Sequence, residues 1–341
     1  MSDKYTQDDP RFNQFLPTLT PVSLLLSSDV ISPTTMLTSF DLGEEKSQIP
    51  CHSMLIEKGD EALLSDLGLR EDVENFTPFL HNTLLKVFGT ASAPHPIAQL
   101  KESGYKLDRL KAVIISHKHF DHSILAYTFI VIILGLGSLK SIGPGYPKDP
   151  NGQWETSWLE KYKFIELPKV ETAGAWSGDI AEVSAEKEKK WERLGCFEHA
   201  VDWFGDGSFW LIDAPGHCCG HIMALCRVTT QPDTYVLLAG DAAHHQTMYL
   251  PVPTSEGDFR SPKPVINGKV QFAEDPIKAT FVVGQLTRMT QEDNVMVILA
   301  HEKEVKDVVD YHPNDIAKWK EMGWKEQKER KVTEDAIRRA G

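Results

Sequence analysis

Ser116-His-Lys-His-Phe-Asp-His122 places four metal-binding side chains, His117, His119, Asp121 and His122, within six residues. The stretch follows Ala112-Val-Ile-Ile-Ser116, a β-branched run that reads as a buried strand. Side chains two apart on a strand share a face, so His117 and His119 can meet at one point. Asp121 and His122 lie past the strand end, where the loop can aim them at a second point. Three imidazoles and a carboxylate suit a borderline ion such as zinc. The plainer reading is a polar loop with scattered histidines, but four ligand types at this spacing seldom coincide.

Three further strands end in the same way. Phe209-Trp-Leu-Ile-Asp213 runs into Ala-Pro-Gly-His217, Tyr235-Val-Leu-Leu-Ala-Gly240 into Asp241, and Asn294-Val-Met-Val-Ile-Leu-Ala300 into His301. Such apolar runs indicate sheets buried on one face or both. Two metal positions account for the set. His117, His119 and His217 are expected at one zinc, Asp121, His122 and His301 at the second, with Asp241 bridging. Each ion then keeps an open position, as catalytic sites require. Manganese or iron is not excluded. His221 could replace His217, but it lies further from the strand end and reads as structural. Asp241 alone would pass for a helix cap, and His301 alone for a surface histidine.

The composition narrows the partners. The chain has 341 residues, 41% hydrophobic and 25% charged, which is globular. A formal charge of −13 disfavours a nucleic-acid partner, which needs a basic face. The five cysteines are an odd number and make no disulfide framework, so a reducing, cytoplasmic setting is the simpler expectation. Met1–Pro10 is polar and lacks the apolar core of a signal peptide.

In chain order, residues 1–18 read as an arm and 19–341 as one domain. Strands are expected at Val22–Leu26 and Ser53–Glu57, the latter forming a hairpin with 61–66 through Lys58-Gly-Asp60. Helices are expected around Thr77–Phe88 and Ile97–Gly104. Ile124–Leu136 is almost wholly apolar. As a helix it would span about 20 Å, short of the roughly 30 Å needed to cross a membrane, so it reads as a core element and no membrane span is expected. Residues 141–180, rich in Gly, Pro and Trp, read as a long excursion, making an insertion near 124–180. Lys187–Lys190 is a solvated charge run. A C-terminal helix is expected near 314–328, with Ile316, Trp319 and Met322 on one face.

Taken together, His117-Lys-His-Phe-Asp-His122, Asp213-Ala-Pro-Gly-His217, Gly240-Asp241 and Ala300-His301 resemble the ordered metal motifs of the metallo-β-lactamase-fold hydrolases. The resemblance covers roughly residues 20–312. Ser53–Glu57 leading into Asp66-Leu-Gly-Leu-Arg70 is similar to the opening of the quorum-quenching lactonase branch, and 205–221 with 311–324 to a fungal branch of that group. The resemblance implies an α/β (α+β) fold, a four-layer αββα sandwich of two mixed sheets with helices outside and the metals at one edge. It also implies a small cyclic substrate, since the branch includes lactone-opening enzymes and fungal lactamases that detoxify cyclic amides and carbamates. A homodimer is left open.

Departures from the family pattern matter. The lactonases carry a tyrosine three residues after the bridging aspartate, where this chain has His244, followed by His245. His244 could polarise a carbonyl or protonate a leaving amine, and His245 reads as structural. Cys218 and Cys219 stand where small or polar residues are usual, either as small hydrophobes or as oxidisable thiols. The expected reaction is attack of a metal-bridging hydroxide on a ring carbonyl, with Asp121 also relaying a proton. A glyoxalase-II-like thioesterase would need cationic residues for a glutathione carboxylate. A mono-iron sulfur dioxygenase would lack a complete second site.

Overall fold

The computed structural model describes residues 22–33, 46–92, 94–123, 131–167, 190–254, 257–259, 265–266 and 269–340. The expected arm at 1–18, the first part of the apolar run, 124–130, and 168–189, with most of the charge run, lie outside them.

Alternating apolar residues generate the layers. The first sheet has the order β4-β1-β2-β3-β5-β6-β7. Its strands are β1 (Val22–Pro33), β2 (Lys46–Lys58), β3 (Glu61–Ser65), β4 (Gly89–Ser92), β5 (Leu110–Ile114), β6 (Val131–Leu134) and β7 (Lys163–Glu166). The second has the order β17-β12-β11-β10-β9-β8. It comprises β8 (Glu192–Leu194), β9 (Phe197–Asp202), β10 (Phe209–Asp213), β11 (Ile222–Thr229), β12 (Thr234–Leu238) and β17 (Val295–Ile298). Both sheets are mixed: β1, β2 and β3 pair antiparallel while β3, β5, β6 and β7 run parallel, and β17 is parallel to β12 in an otherwise antiparallel sheet. Two short hairpins, β13 (Val252–Thr254) with β14 (Gly257–Phe259) and β15 (Val265–Ile266) with β16 (Lys269–Val270), lie between β12 and β17 in sequence.

One face of each sheet supplies a shared core. Met54, Ile56, Ala112, Ile114, Val131 and Ile133 meet Leu211, Ala224, Val236 and Ile298 between the sheets. The alternate residues Leu55, Val113 and Ile132 face outward onto helices through Leu80, Ile97, Leu100 and Trp158. On the far side, Ile212, Leu225, Leu237 and Val297 pack on Val282, Leu286 and Met289. The helices concerned are α1 (Pro78–Asn82), α2 (Leu84–Val87), α3 (Pro96–Glu102), α4 (Ser138–Ile142), α5 (Thr156–Lys161) and α6 (Pro276–Thr290). This is the four-layer αββα arrangement. A one-residue slip would turn each inner set outward, and full burial of one large apolar side chain is worth roughly 2 kcal/mol, so register is strongly specified.

Several local expectations are corrected. β1 extends to Pro33, with a bulge between Leu26 and Ser28. The single helix over 77–88 is two, broken at Thr83, whose hydroxyl donates back to the Phe79 carbonyl at 2.6 Å. The described end of the apolar run is β6, a fully buried strand between β5 and β7. The excursion of 141–180 carries α5 and the edge strand β7 as far as 167, so much of it belongs to the sandwich. No single helix spans 314–328: Ile316 and Trp319 are buried at a 3-10 turn, and Met322 is 53% exposed. Gly323, with φ +65°, ends that turn, and α8 (Trp324–Ala340) starts afresh after it. Among the described residues no helix is long and apolar enough to cross a membrane.

A buried polar layer joins α8 to the second sheet near α7 (Val305–Val308). Within it, burial and the neighbouring Glu302 push the Glu304 carboxyl up to about 7 from 4.5. The folded chain therefore keeps a proton that the unfolded chain loses above pH 4.5. Stability should fall by roughly 3 kcal/mol as pH rises from 4.5 to 7, then level off with respect to this group. In Glu304→Gln, urea unfolding between pH 4.5 and 8 should lack that component; an unchanged slope would show that Glu304 is not its source.

Candidate metal centre

Every expected ligand leaves the end of a strand on one edge of the sandwich. β5 runs into His117–His122, β10 into His217, β12 into Asp241 and β17 into His301. Backbone bonds join the sheets there: Ile222 N–H donates to the Ser116 carbonyl at 2.9 Å, and His52 N–H to that of Ala300 at 3.0 Å. Two glycines permit the turns. Gly240 has φ +51°, and a Cβ on it would lie 2.8 Å from His221 Nε2. Gly216 has φ +129°, and a Cβ would lie 2.2 Å from the Ala279 nitrogen.

Two clusters result. His117 Nε2, His119 Nδ1 and His217 Nε2 lie 2.9–3.1 Å from one another. His122 Nε2 and His301 Nε2 are 3.3 Å apart, with Asp121 Oδ2 3.3 Å from the latter. Asp241 stands between the clusters. Its Oδ2 is 3.7 and 3.6 Å from His117 and His217, and its Oδ1 is 3.5 and 3.4 Å from His122 and His301. Donors bound at about 2 Å around a tetrahedral ion stand about 3.3 Å apart, so these spacings fit a cation in each cluster.

The charges fit as well. Burial and neighbouring rings push His117 and His217 well below 6.5, and burial lowers His119, which leaves neutral imidazoles with free lone pairs. Burial also disfavours charge on His122 and His301, but nearby acidic side chains outweigh it: the Asp241, Asp66 and Asp121 carboxylates raise the first, and Asp241, the Cys51 sulfur and Asp121 the second. A field that holds protons on those rings favours a divalent cation in the same place.

Hydrogen bonds set the ring orientations. His122 Nδ1 donates to Asp66 Oδ2 at 2.8 Å, His301 Nδ1 to the Pro50 carbonyl at 2.8 Å, and His217 Nδ1 to the Phe272 carbonyl at 2.9 Å. Ser116 Oγ donates to Asp66 Oδ2 at 2.7 Å and lies 3.0 Å from His117 Nδ1, from which it can accept. In all four rings Nε2 faces inward. His221 is structural, as expected: its Nε2 accepts from Asp241 N–H at 2.9 Å, so Nδ1 carries the proton and donates to the Ala214 carbonyl at 3.1 Å. His245 accepts from Thr247 N–H at the start of the 3-10 turn Gln246–Met248. His244 lies between His217 and Phe272, at ring separations of 4.9 and 4.6 Å, with Nε2 3.3 Å from Asp241 Oδ2. Cys218 is buried and its thiol pushed up by burial, whereas Cys219 is exposed.

The clusters floor a cavity of about 300 Å³. Ile49, Leu84, Phe88, Phe120, Val270 and Phe272 form its apolar wall, with Gln153, His244 and Glu274 among the polar groups.

Comparison with known proteins bears on this edge directly. Residues 48–130 match the family model described as the Metallo-beta-lactamase superfamily. The chain is 35% identical over 213 residues to Gamma-lactamase MBL2 of Gibberella moniliformis, covering 60% of this chain and 80% of that protein. The chain belongs to the metallo-β-lactamase superfamily. It is also 33% identical over 292 residues to Cytochrome P450 monooxygenase mpaDE' of Penicillium brevicompactum, covering 81% of this chain. There the chain spans only about a third of the relative's length, 32%. Among solved structures, a B. thuringiensis AiiA variant with N-decanoyl-L-homoserine at its active site shares the metallo-β-lactamase fold. It aligns at a TM-score of 0.57 and 18% identity, covering 88% of this chain and 100% of that one. The expected family and fold are thus borne out, and a metallo-β-lactamase fold implies divalent-metal binding.

Sequence reasoning missed three residues around this metallo-β-lactamase edge. Asp66 follows β3 as Asp241 follows β12, and that strand-end position was the available signal. Its φ of +57° is tolerated by aspartate. Phe272, with φ +50°, lies near the short hairpins, where nothing in the sequence marks it. Buried Cys51 has its Sγ 3.8 Å from His301 Nδ1 and offers a thiol alongside Asp121 and His301. Asp66 gives a sharp test. Asn also tolerates positive φ, but Asp66→Asn would face the Ser116 and His122 donors with an amide. Metal affinity should fall about 10- to 100-fold in chelator competition with little change in fold; wild-type affinity would remove Asp66 from the site.

Proposed function

We propose that the chain is a dinuclear zinc hydrolase that opens a small cyclic amide, carbamate or ester, a reaction that could detoxify a xenobiotic. The observation that carries this reading is Asp241, one oxygen toward each cluster, at the floor of an apolar cavity. His117, His119 and His217 would hold one ion and Asp121, His122 and His301 the other, with Asp241 shared. When bound, such ions acidify water and polarise a carbonyl.

The chain's own residues supply the rest. The Phe88, Phe120 and Phe272 wall presents an apolar face to a ring. Asp121 Oδ2, 3.3 Å from His301, can hold a proton during transfer. His244 Nε2, at the cavity wall, is placed to donate one to the leaving atom. An amide nitrogen is a poorer leaving group than an ester oxygen, so a lactam or carbamate depends more on that donor. The name of Gamma-lactamase MBL2 agrees with a cyclic substrate.

The glyoxalase-II-like alternative is less well supported, because none of the described residues lining the cavity is Lys or Arg. A mono-iron dioxygenase leaves the second cluster unexplained. The test is turnover by the zinc-loaded protein of neutral lactones, lactams, cyclic carbamates and a glutathione thioester. The neutral rings should be opened and the thioester left. His244→Phe should depress amide turnover roughly 100-fold and ester turnover far less. Equal effects would reject the donor role, and preference for the thioester would reject the cyclic substrate.

A further inference from the structure

Behind His301 lies a buried ion pair that the proposed chemistry does not use. Lys328 of α8 is 1% exposed and Glu302, the residue after His301, is 3% exposed. Lys328 Nζ lies 2.5 Å from Glu302 Oε1 and donates also to the Val297 carbonyl of β17 at 2.6 Å. Glu302 has further partners. Its Oε2 accepts from Leu299 N–H at 3.1 Å, its Oε1 from Gln246 Nε2 at 2.6 Å, and its carbonyl lies 3.0 Å from His52 Nε2.

Those partners identify the role. Leu299 begins the turn that ends in His301. Gln246 opens the 3-10 turn reached directly from Asp241 and His244. One carboxylate therefore ties together the turn bearing His301, the loop bearing Asp241 and the helix α8. A buried ion pair loses so much hydration that apolar replacements of both partners are often as stable or more so. Stability alone is thus a weak reason for this pair.

We propose that Glu302 and Lys328 are positioning residues for the second cluster. Lys328 holds the Glu302 carboxylate where it fixes His301 and Asp241 against Asp121 and His122. His117, His119 and His217 of the first cluster make none of these contacts, and that cluster meets the Glu302 network only through the shared Asp241. The inference rests on the proposed reading that the clusters hold two cations.

The test is zinc content by elemental analysis and zinc affinity by chelator competition, with thermal unfolding alongside. The proteins are wild type, Lys328→Met and the double variant Glu302→Gln/Lys328→Met. Wild type should hold two ions. Lys328→Met leaves a buried carboxylate without its cation, so it should lose stability and bind the second ion about 10- to 100-fold more weakly. If it fails to fold, the double variant carries the test. With no charge left unpaired, the double variant should recover its unfolding temperature, yet still bind only the first ion with near wild-type affinity. A stable double variant that holds both ions as wild type does, or that loses both equally, would overturn the positioning role. A wild-type protein that binds fewer than two ions would instead overturn the two-cation reading.

Discussion

Replacing Asp241 by alanine should lower turnover of a cyclic substrate on the order of 10³-fold or more, the largest loss expected from any single substitution. Asp241 puts Oδ2 within 3.7 Å of His117 and His217, and Oδ1 within 3.5 Å of His122 and His301. Removing it takes a ligand from both proposed ions at once. Charge stabilisation by bound metal is worth several kcal/mol, and each 1.36 kcal/mol is a factor of ten in rate. Steady-state kinetics with metal counting checks this. Zinc content should fall with turnover, while the three apolar cores keep the fold. A variant retaining a tenth of the activity would show that Asp241 is not shared between the ions.

Metal removal should have the second largest effect, on stability as well as activity. The Nε2 atoms of His117, His122, His217 and His301 converge in a buried space shared with two carboxylates. Without a cation this is a concentration of unsatisfied lone pairs and opposed charges. A ligand at about 1,000 times its Kd stabilises the native state by about 4 kcal/mol. For a chain of 341 residues that corresponds to roughly 5 °C in Tm per ion. Calorimetry before and after chelation should show a drop of at least that size, reversed by zinc and not by magnesium. No change would mean that the clusters are held by hydrogen bonds alone.

The convergence of seven side chains was legible because each follows a short β-branched or apolar run, and a strand end fixes where the next residues can point. Asp66 obeys the same rule but stands outside the metal motifs and acts through His122 and Ser116, so its chemistry appears only in three dimensions. Phe272 was illegible for another reason: its role depends on a backbone carbonyl and a positive φ, and neither is written in residue type. The run 124–136 was ambiguous because a buried parallel strand and a buried helix segment look alike in so short an apolar stretch. The helix expected at 314–328 matched an apolar spacing that Ile316 and Trp319 satisfy from a 3-10 turn. Gly323 was the visible sign that it would break.

The same lesson bears on the cavity. Its wall combines Ile49 from β2, Leu84 from α2, Phe120 from the ligand loop and Phe272 from near the hairpins. No sequence period joins these positions, so pocket shape is a property of the fold.

The most direct test of the central claim is anomalous diffraction at the zinc edge from crystals of the zinc-loaded protein. Two peaks are expected. One should lie within about 2 Å of His117 Nε2, His119 Nδ1 and His217 Nε2, the other equally near His122 Nε2, His301 Nε2 and an Asp121 oxygen, with one Asp241 oxygen toward each. A single peak, or none inside the histidine cluster, would contradict the account.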